Sequence, residues 1–433
     1  MHAANFAKLV LPPPSKESDV IRFRQCLHPM KLPTYCCPLC GNALPTENIL
    51  QGRKANEARG RCQQCKRWVP IELPSVTKKL VYLDQSFLSA ACLQADDPKS
   101  KKVLLLLSKI KNLKERQKIF VVVSDVHSRE TSAIPDEHVE NRRRLWKFQN
   151  DLANGNISTD WRDVFVAQQR RALVGHGDSE SFPVIDIGLE NPHRWQVGMK
   201  IQLTNHWRPK LDASSARPRP EVNDGFRQII ERQFDAIPRC TDLRDCLTFV
   251  RELWHKDIRQ GITACQQRRD LMLSLEAGRV PDSSRFELPD ATFRQVVGEV
   301  VRGPHEASML DHWSKLMEGD SANLCTAARI RIAFEASLLW QWRTRTPPTN
   351  PKSFNEGFGI SRQNDIDHVS AFVPYVDALT TDKNMLNLCR QDVVAGELER
   401  FPCKIFATTN YNDFEAWLDA LLAESELPWT SGD

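Results

Sequence analysis

Residues 365 to 384 read DIDHVSAFVPYVDALTTDKN, and this stretch decides the fold class that we expect. After Asp365, apolar residues recur at the spacing of one helical face. Residues 378–381 are short, apolar or β-branched, which is typical of a buried strand. Asp382 follows directly, at the position where open α/β sheets bind their ligands. The stretch therefore predicts a helix, a strand and an acid at the edge of a sheet.

Four carboxylates belong to this unit, namely Asp365, Asp367, Asp377 and Asp382. Carboxylates gathered at a sheet edge repel one another unless a positive charge lies between them, and a divalent cation is the usual solution. Asp367 competes with Asp365 for the same position because it neighbours His368 on one turn. Any one of these acids, taken alone, is better explained as a helix cap, a turn residue or a solvated side chain, so the prediction depends on their joint pattern.

Two earlier segments repeat the order of a strand followed by an acid. Residues 80–83 read LVYL and lead to Asp84, after which a helix begins. Residues 119–123 read IFVVV and lead into a helix that carries Glu130. Because strands that alternate with helices form parallel sheets, we expect an α/β fold with its acids at one edge.

The three units together resemble the acidic motifs of PIN-like nucleases, over roughly residues 78–150 and 325–425. The resemblance implies a PIN-like parallel-sheet core that binds Mg²⁺ or Mn²⁺ and hydrolyses phosphodiester bonds, with RNA favoured over DNA. The catalytic acids that it implies are Asp84, Glu130, Asp365 and Asp382. Asp84 would be the central ligand, and Asp367 or Asp377 would join the metal site.

The chemistry is physically reasonable for these residue types. Mg²⁺ prefers oxygen ligands, and paired metal ions activate water and stabilise the developing charge on a phosphate. Ser86 and Thr381 are placed to orient ligands or water. The chain departs from a compact domain between positions 130 and 365, a separation of 235 residues. We therefore expect a large, mostly helical insertion.

Two CxxC pairs near the start of the chain predict a second metal site. CPLCG begins at Cys37 and CQQCK begins at Cys62, with 21 residues (41 to 61) between the pairs. This spacing resembles a zinc ribbon with a structural Cys₄ site, whose predicted Zn²⁺ ligands are Cys37, Cys40, Cys62 and Cys65. Cys36 is an alternative to Cys37, and disulfides or a redox pair are the other interpretation. Gly41 lies where such a turn needs a positive φ.

Composition limits the remaining possibilities. The 433 residues are 41% hydrophobic and 26% charged, with a net charge of +4 that does not by itself indicate nucleic-acid binding. The odd number of 13 cysteines and the lack of a secretory leader favour a reducing cytoplasm, and no apolar run is long enough to cross a membrane. Basic residues lie beside Trp68 in the sequence. They fit nucleic-acid contact, protein docking and a solvated surface equally well.

The predicted organisation has five parts, which are an N-terminal extension (1–32), a zinc ribbon (33–76), the first part of the PIN-like core (77–152), the insertion (153–324) and the second part of the core (325–433). Long helices are expected at 241–276 and 322–342, and further strands at 184–189 and 197–203.

The expected function is a metal-dependent nuclease, with a toxin or defence effector as a conceivable role and a regulatory protein as a conceivable partner. The alternatives are a nucleic-acid-binding or scaffold protein with an inactive nuclease fold, or a metal-dependent phosphohydrolase that acts on nucleotides.

Overall fold

A computed structural model describes most of the chain. It covers residues 35–44, 49–51, 57–73, 75–93, 97, 100–174, 182–189, 191–195, 240–277, 294–318, 324–344 and 359–424. The expected N-terminal extension and the expected strand at 197–203 lie outside these residues.

A small antiparallel module occupies the start of the described chain. β1 (Tyr35–Cys36) pairs with β2 (Ala43–Leu44), and a separate sheet contains β3 (Ile49–Gln51), β4 (Glu57–Arg61) and β5 (Trp68–Glu72). Alternate residues of β4 and β5 are buried in one cluster with Leu44. A Cβ on Gly60 would lie 2.8 Å from Ile71 Cδ1 and 3.0 Å from Leu44 Cδ1. Glycine therefore allows the hairpin and the sheet to pack closely.

A parallel sheet of five strands forms the centre of the main region. Its strands are β6 (Lys79–Tyr82), β7 (Ile119–Ser124), β8 (Ile157–Ser158), β9 (Ala378–Thr380) and β10 (Lys404–Phe406), in the spatial order β10-β9-β6-β7-β8. Every neighbouring pair is parallel. The chain adds β7 and β8 on one side of β6 and then β9 and β10 on the other. The strand order thus reverses between β6 and β9, which is where open α/β sheets bind ligands.

Helices cover both faces of this sheet. In chain order they are α1 (Gln85–Leu93), α2 (Lys101–Glu115), α3 (Asp125–Ser132), α4 (Val139–Leu152), α5 (Trp161–Leu173), α6 (Leu243–Glu276), α7 (Arg294–Val301), α8 (Glu306–Glu318), α9 (Thr326–Thr344), α10 (Ile360–Phe372), α11 (Lys383–Cys389), α12 (Asp392–Leu398) and α13 (Tyr411–Ala423). The predicted long helices at 241–276 and 322–342 correspond to α6 and α9. No helix within the described ranges is both long enough and apolar enough to cross a bilayer.

The alternation of side chains along β6 separates two cores. Leu80 and Tyr82 belong to a large cluster with residues of α5 to α12, whereas Val81 and Leu83 belong to a second cluster with α1, α2, α4 and α13. Both faces of the central strands are therefore buried, as in other parallel sheets. The α/β class that the sequence predicts is confirmed.

Two expectations for residues 153–324 need correction. β8 lies beyond the predicted boundary at residue 152 yet pairs with β7, so the sheet extends at least to Ser158. The apolar segment expected as a strand at 184–189 is a 3-10 helix at Val184–Ile187, and Gly188 ends it with φ +75°. The described helices of this range share one core cluster with the sheet, so they form a layer that packs on the sheet.

Candidate active site

The carboxyl ends of β6 and β9 bring two of the predicted acids to the reversal point of the sheet. Asp84 lies two positions after the end of β6, and Asp382 lies two positions after the end of β9. Thr380 joins the two strand ends, because its hydroxyl donates to Asp84 Oδ1 at 2.9 Å and accepts from the Asp84 amide at 2.9 Å. Adjacent parallel strands therefore hold these acids side by side.

Asp84 is buried and held by several donors. Ser86 Oγ donates to Asp84 Oδ2 at 2.5 Å, and the Phe87 amide lies 3.3 Å from Oδ1. Burial raises the pKa of Asp84, while the hydrogen bonds from Ser86 and Thr380 oppose that rise. Ser86, which we expect to orient a ligand or water, thus contacts the predicted central ligand itself. The threonine that holds Asp84 is Thr380 rather than Thr381, whose amide donates to the Phe406 carbonyl.

One turn of α10 supplies the remaining contacts between the acids. Arg362 Nη1 lies 3.1 Å from Asp365 Oδ2 and 3.3 Å from Asp382 Oδ1. Its Nη2 lies 3.3 Å from the second oxygen of Asp382. Asn364 donates to Glu130 Oε1 at 3.1 Å. α10 thus links α3 and the end of β9 at the edge where Asp84 lies.

The charges of the four acids act on one another. Burial raises the pKa of Asp365 well above its ordinary value, and the negative charges of Asp382, Asp84 and Glu130 add to the rise. The Arg362 guanidinium, which is only 4% exposed, opposes it. When all four carboxylates are ionised, they and the one guanidinium leave a formal charge of −3 at the edge of the sheet. Such a site favours a small cation.

His127 fixes the loop that carries Asp84. The Ser124 amide donates to His127 Nδ1 at 3.0 Å, so the proton is on Nε2, which donates to the Leu83 carbonyl at 2.7 Å. Burial lowers the pKa of His127 to about 4, so the ring is neutral at pH 7. His368 stacks on His127 with ring centroids 5.5 Å apart, and burial lowers its pKa well below the ordinary value. His127 thus holds the Leu83 carbonyl next to Asp84, and His368 packs against His127.

Two predicted metal ligands lie apart from this cluster. Asp367 pairs with Arg331, which also contacts Glu335, on the side of α10 that faces α9. Asp377 precedes β9 and accepts hydrogen bonds from the Leu80 amide at 2.8 Å and from Lys79 Nζ at 2.8 Å. These contacts place Asp377 at the amino end of β6, opposite Asp84. The structure therefore brings together Asp84, Glu130, Asp365 and Asp382, but not Asp367 or Asp377.

The donor chemistry of the acid cluster suits Mg²⁺ or Mn²⁺, because every ligand atom is a carboxylate oxygen. The carboxylate oxygens of the four acids are spread more widely than the ligands in a closed metal site. Within the described residues, only the four cysteines bring three or more acidic, histidine or cysteine ligand atoms within 4.8 Å of one another. Asp382 also serves as the N-cap of α11, since its Oδ1 accepts from the Met385 amide at 2.5 Å. The capping role expected for a single acid is thus present as well.

The four cysteines Cys37, Cys40, Cys62 and Cys65 form a group that can hold a metal such as zinc. Cys37 Sγ lies 3.7 Å from Cys65 Sγ, and Cys40 Sγ lies 3.4 Å from Cys62 Sγ. Tetrahedral zinc with Zn–S bonds of about 2.3 Å sets its sulfurs about 3.8 Å apart. All four thiols are free, so the structure does not contain the disulfides that the sequence left open.

The two knuckles share one local geometry. The Cys37 amide donates to the Asn42 carbonyl at 2.7 Å, and the Cys62 amide donates to the Arg67 carbonyl at 3.0 Å. Gly41 has φ +71° as expected, and Lys66 occupies the equivalent position with φ +59°. Cys36 is exposed and outside the group, which settles the choice in favour of the buried Cys37.

The sequence interpretation missed the polar partners of the acids, Arg362, Asn364 and Thr380. The spacing of Arg362 and Asp365, three apart on a predicted helix, was an available signal for their ion pair. Asn364 and Thr380 had no such signal, because their partners lie 234 and 296 positions away.

Comparison of the chain with protein-family models, with curated proteins and with solved structures finds no match. The likeness to PIN-like nucleases therefore depends on the acids and on the order of the elements alone.

Proposed function

We propose that the protein is a metal-dependent nuclease of the PIN-like kind, which hydrolyses phosphodiester bonds with RNA favoured over DNA. The observation that carries the proposal is the convergence of Asp84, Glu130, Asp365 and Asp382 at the reversal point of the parallel sheet. These acids come from three distant parts of the chain. A purely structural role at helix ends does not require them to share one edge.

Each acid has a role that its surroundings support. Asp84 is the most buried of the four acids, and Ser86 and Thr380 hold its two oxygens, so it suits a central ligand. Glu130, Asp365 and Asp382 complete an acidic cup for Mg²⁺ or Mn²⁺. When bound, the metal ions would activate water and stabilise charge on the phosphate. Arg362 adds a fixed positive charge beside the position where a phosphate would bind.

The Cys₄ group has a different proposed role. Four thiolates leave no open position on a tetrahedral metal, so zinc there is structural. The backbone amide of Cys65 lowers the pKa of Cys62 to about 6, whereas hydrogen bonds with neighbouring cysteines raise the pKa of Cys40 to about 11, so Cys62 ionises before Cys40. A bound zinc would fix the small module, whose own core is limited to one cluster.

The test is cleavage of labelled single-stranded RNA and DNA by the full-length protein. The protein is assayed with Mn²⁺, with Mg²⁺ and without added divalent metal, and no chelator is used, so that metal at the cysteines is kept. We expect cutting that requires added metal and is faster on RNA. Cutting at an equal rate without added metal, or no cutting of either substrate under any condition, would contradict the proposal.

Arg362 favours a second candidate, a nucleic-acid-binding or scaffold protein with an inactive nuclease fold. Its guanidinium already neutralises part of the charge that a metal would neutralise, because it contacts both Asp365 and Asp382. Binding of oligonucleotide without cleavage in the same assay would support this candidate.

A further inference from the structure

The exposed face of β4 and β5 carries aromatic and basic side chains in one patch. Along both strands buried and exposed residues alternate, so Arg59, Arg61 and Trp68 point to the same side. Arg61 lies directly opposite Trp68 in the antiparallel register, and Arg59 is one step further, opposite Pro70. Side chains at such opposite positions have Cβ atoms about 5 Å apart. We name Arg59, Arg61 and Trp68 the Trp68 face.

The indole of Trp68 is unusual in its exposure. It is 49% exposed, although its strand neighbours Val69 and Ile71 are buried in the core of the module. Burial of a large aromatic side chain is one of the most favourable contributions to folding. The outward orientation of Trp68 therefore contributes little to the stability of the fold. An external partner that covers the ring would give a physical reason for this orientation.

The charges around the indole indicate an anionic partner. Arg59 and Arg61 are exposed, and no ion pair with either occurs among the described residues. Lys66 and Arg67, also exposed, border the same end of the sheet. At the opposite end of the two strands Glu57 lies across from Glu72. A polyanion would therefore bind at the end near the cysteines.

We propose that the Trp68 face binds single-stranded nucleic acid, with a base stacked on Trp68 and phosphates beside Arg59 and Arg61. A flat aromatic ring can stack only on a base that is unpaired, whereas paired bases are already stacked within the duplex. Arginine beside the ring pairs with phosphate and also stacks on bases. The combination fits single strands better than duplexes, small anions or an acidic protein surface.

Binding at the Trp68 face does not require the proposed nuclease activity. Only the statement that the bound strand is the substrate rests on that proposed function. The module joins the amino end of β6, and the acids lie at the carboxyl end of that strand. β6 has four residues, so about 13 Å separate its ends. The Trp68 face would hold the substrate at a distance from the cleavage position. It would act on affinity, not on the chemical step.

The test measures binding of the full-length protein to a labelled single-stranded RNA by fluorescence anisotropy over a range of salt concentrations. No Mg²⁺ or Mn²⁺ is added, and no chelator is used. We expect Trp68→Ala to weaken binding about 5- to 150-fold without a change in salt dependence, and Trp68→Phe to restore most of it. Replacing Arg59 and Arg61 with alanine should reduce the slope of log affinity against log salt by up to about 1.4.

Matched controls lie on α4. Trp146 is 41% exposed, and Arg143 and Lys147 are exposed on the same helix. Trp146→Ala, and the double change of Arg143 and Lys147 to alanine, should leave both affinity and salt slope at the wild-type values. The proposal is overturned if Trp68→Ala binds like the wild type, if Trp146→Ala loses as much affinity, or if the wild type does not bind. Trp68-dependent binding without cleavage would instead overturn only the proposed nuclease activity.

Discussion

Arg362 offsets part of the repulsion among the carboxylates at one edge of the sheet. Its guanidinium is 4% exposed and contacts Asp365 and Asp382, which are 21% and 41% exposed. Removal of one partner from a buried ion pair leaves an uncompensated charge. A cation bound at the acids would therefore act on the same negative charge that Arg362 partly neutralises.

We expect Arg362→Ala to lower the free energy of unfolding by about 3 kcal/mol in the absence of Mn²⁺. This is the low end of the range for broken buried pairs, because Asp382 is partly exposed. Mn²⁺ should then raise the melting temperature of the variant more than that of the wild type, since it replaces the lost positive charge. Thermal unfolding at increasing Mn²⁺ concentrations measures both effects.

Arg331→Ala is the matched control, because Arg331 pairs with Asp367 and Glu335 away from the acid cluster. It should destabilise the protein without any added response to Mn²⁺. An equal response of the two variants to Mn²⁺ would mean that the acid cluster does not bind the metal preferentially.

Lys78 makes the free energy of unfolding depend on pH, and this effect does not involve the acid cluster. Lys78 is 2% exposed, and its Nζ donates to the Arg194 carbonyl at 2.7 Å, where the N-terminal module meets the sheet. Burial lowers its pKa from 10.5 to about 7. Below pH 7 both the folded and the unfolded chain carry the proton, and the full cost of the buried charge is present. Between pH 7 and 10.5 only the unfolded chain carries the proton.

The contribution of Lys78 to the free energy of unfolding should therefore rise with pH above 7, by up to about 1.4 kcal/mol per pH unit. Lys78→Met should remove this rise, as measured by urea unfolding between pH 7 and 10. Lys79→Met is the control, because the Lys79 side chain is 48% exposed. If the pH profile of Lys78→Met matches that of the wild type, Lys78 remains charged in the folded protein.

At the scale of the elements, the two CxxC knuckles are the clearest prediction from the sequence. The spacing of the cysteines predicts that the four thiols lie close together, and they do. The shape of the turn predicts the positive φ of Gly41, which the structure also has. We expect one zinc per chain in the purified protein and its loss in Cys62→Ser, as measured by elemental analysis.

Cys36→Ser should keep the metal, because Cys36 is exposed and outside the group. This neighbouring cysteine provides a control for the same chemical change. Loss of zinc from Cys36→Ser, or a wild-type protein without zinc, would refute the assignment of the site.

Element prediction succeeded where the local pattern was strong. The β-branched run of β7 and the apolar runs of β6 and β9 were recognisable, because fully buried parallel strands have little polar character. β8 could not be recognised, since a two-residue strand leaves no periodic signal. The segment at 184–187 was misassigned because a short apolar run fits a strand and a 3-10 helix equally well.

At the scale of the whole molecule, the sequence predicts an insertion at residues 153–324 but does not predict where its helices pack in the folded protein. Within the predicted insertion, the helices α6 to α8 share a core with β6, and that contact depends on packing partners far apart in the chain. The order of acids after strands was sufficient to anticipate which edge would carry the site. The same order separates Asp377 from Asp382, because Asp377 precedes β9 and Asp382 follows it, so the direction of the strand puts the two acids at opposite edges of the sheet.

That direction also gives the most direct test of the central claim, that the acids at the carboxyl edge form the catalytic site. The measurement compares the rates of RNA cleavage with Mn²⁺ for the wild type, Asp84→Asn and Asp377→Asn. Both changes remove one carboxylate charge, at opposite edges of the same sheet. The account predicts that Asp84→Asn loses cleavage while remaining folded, and that Asp377→Asn keeps it. Equal loss in both variants, or retained cleavage in Asp84→Asn, would contradict it.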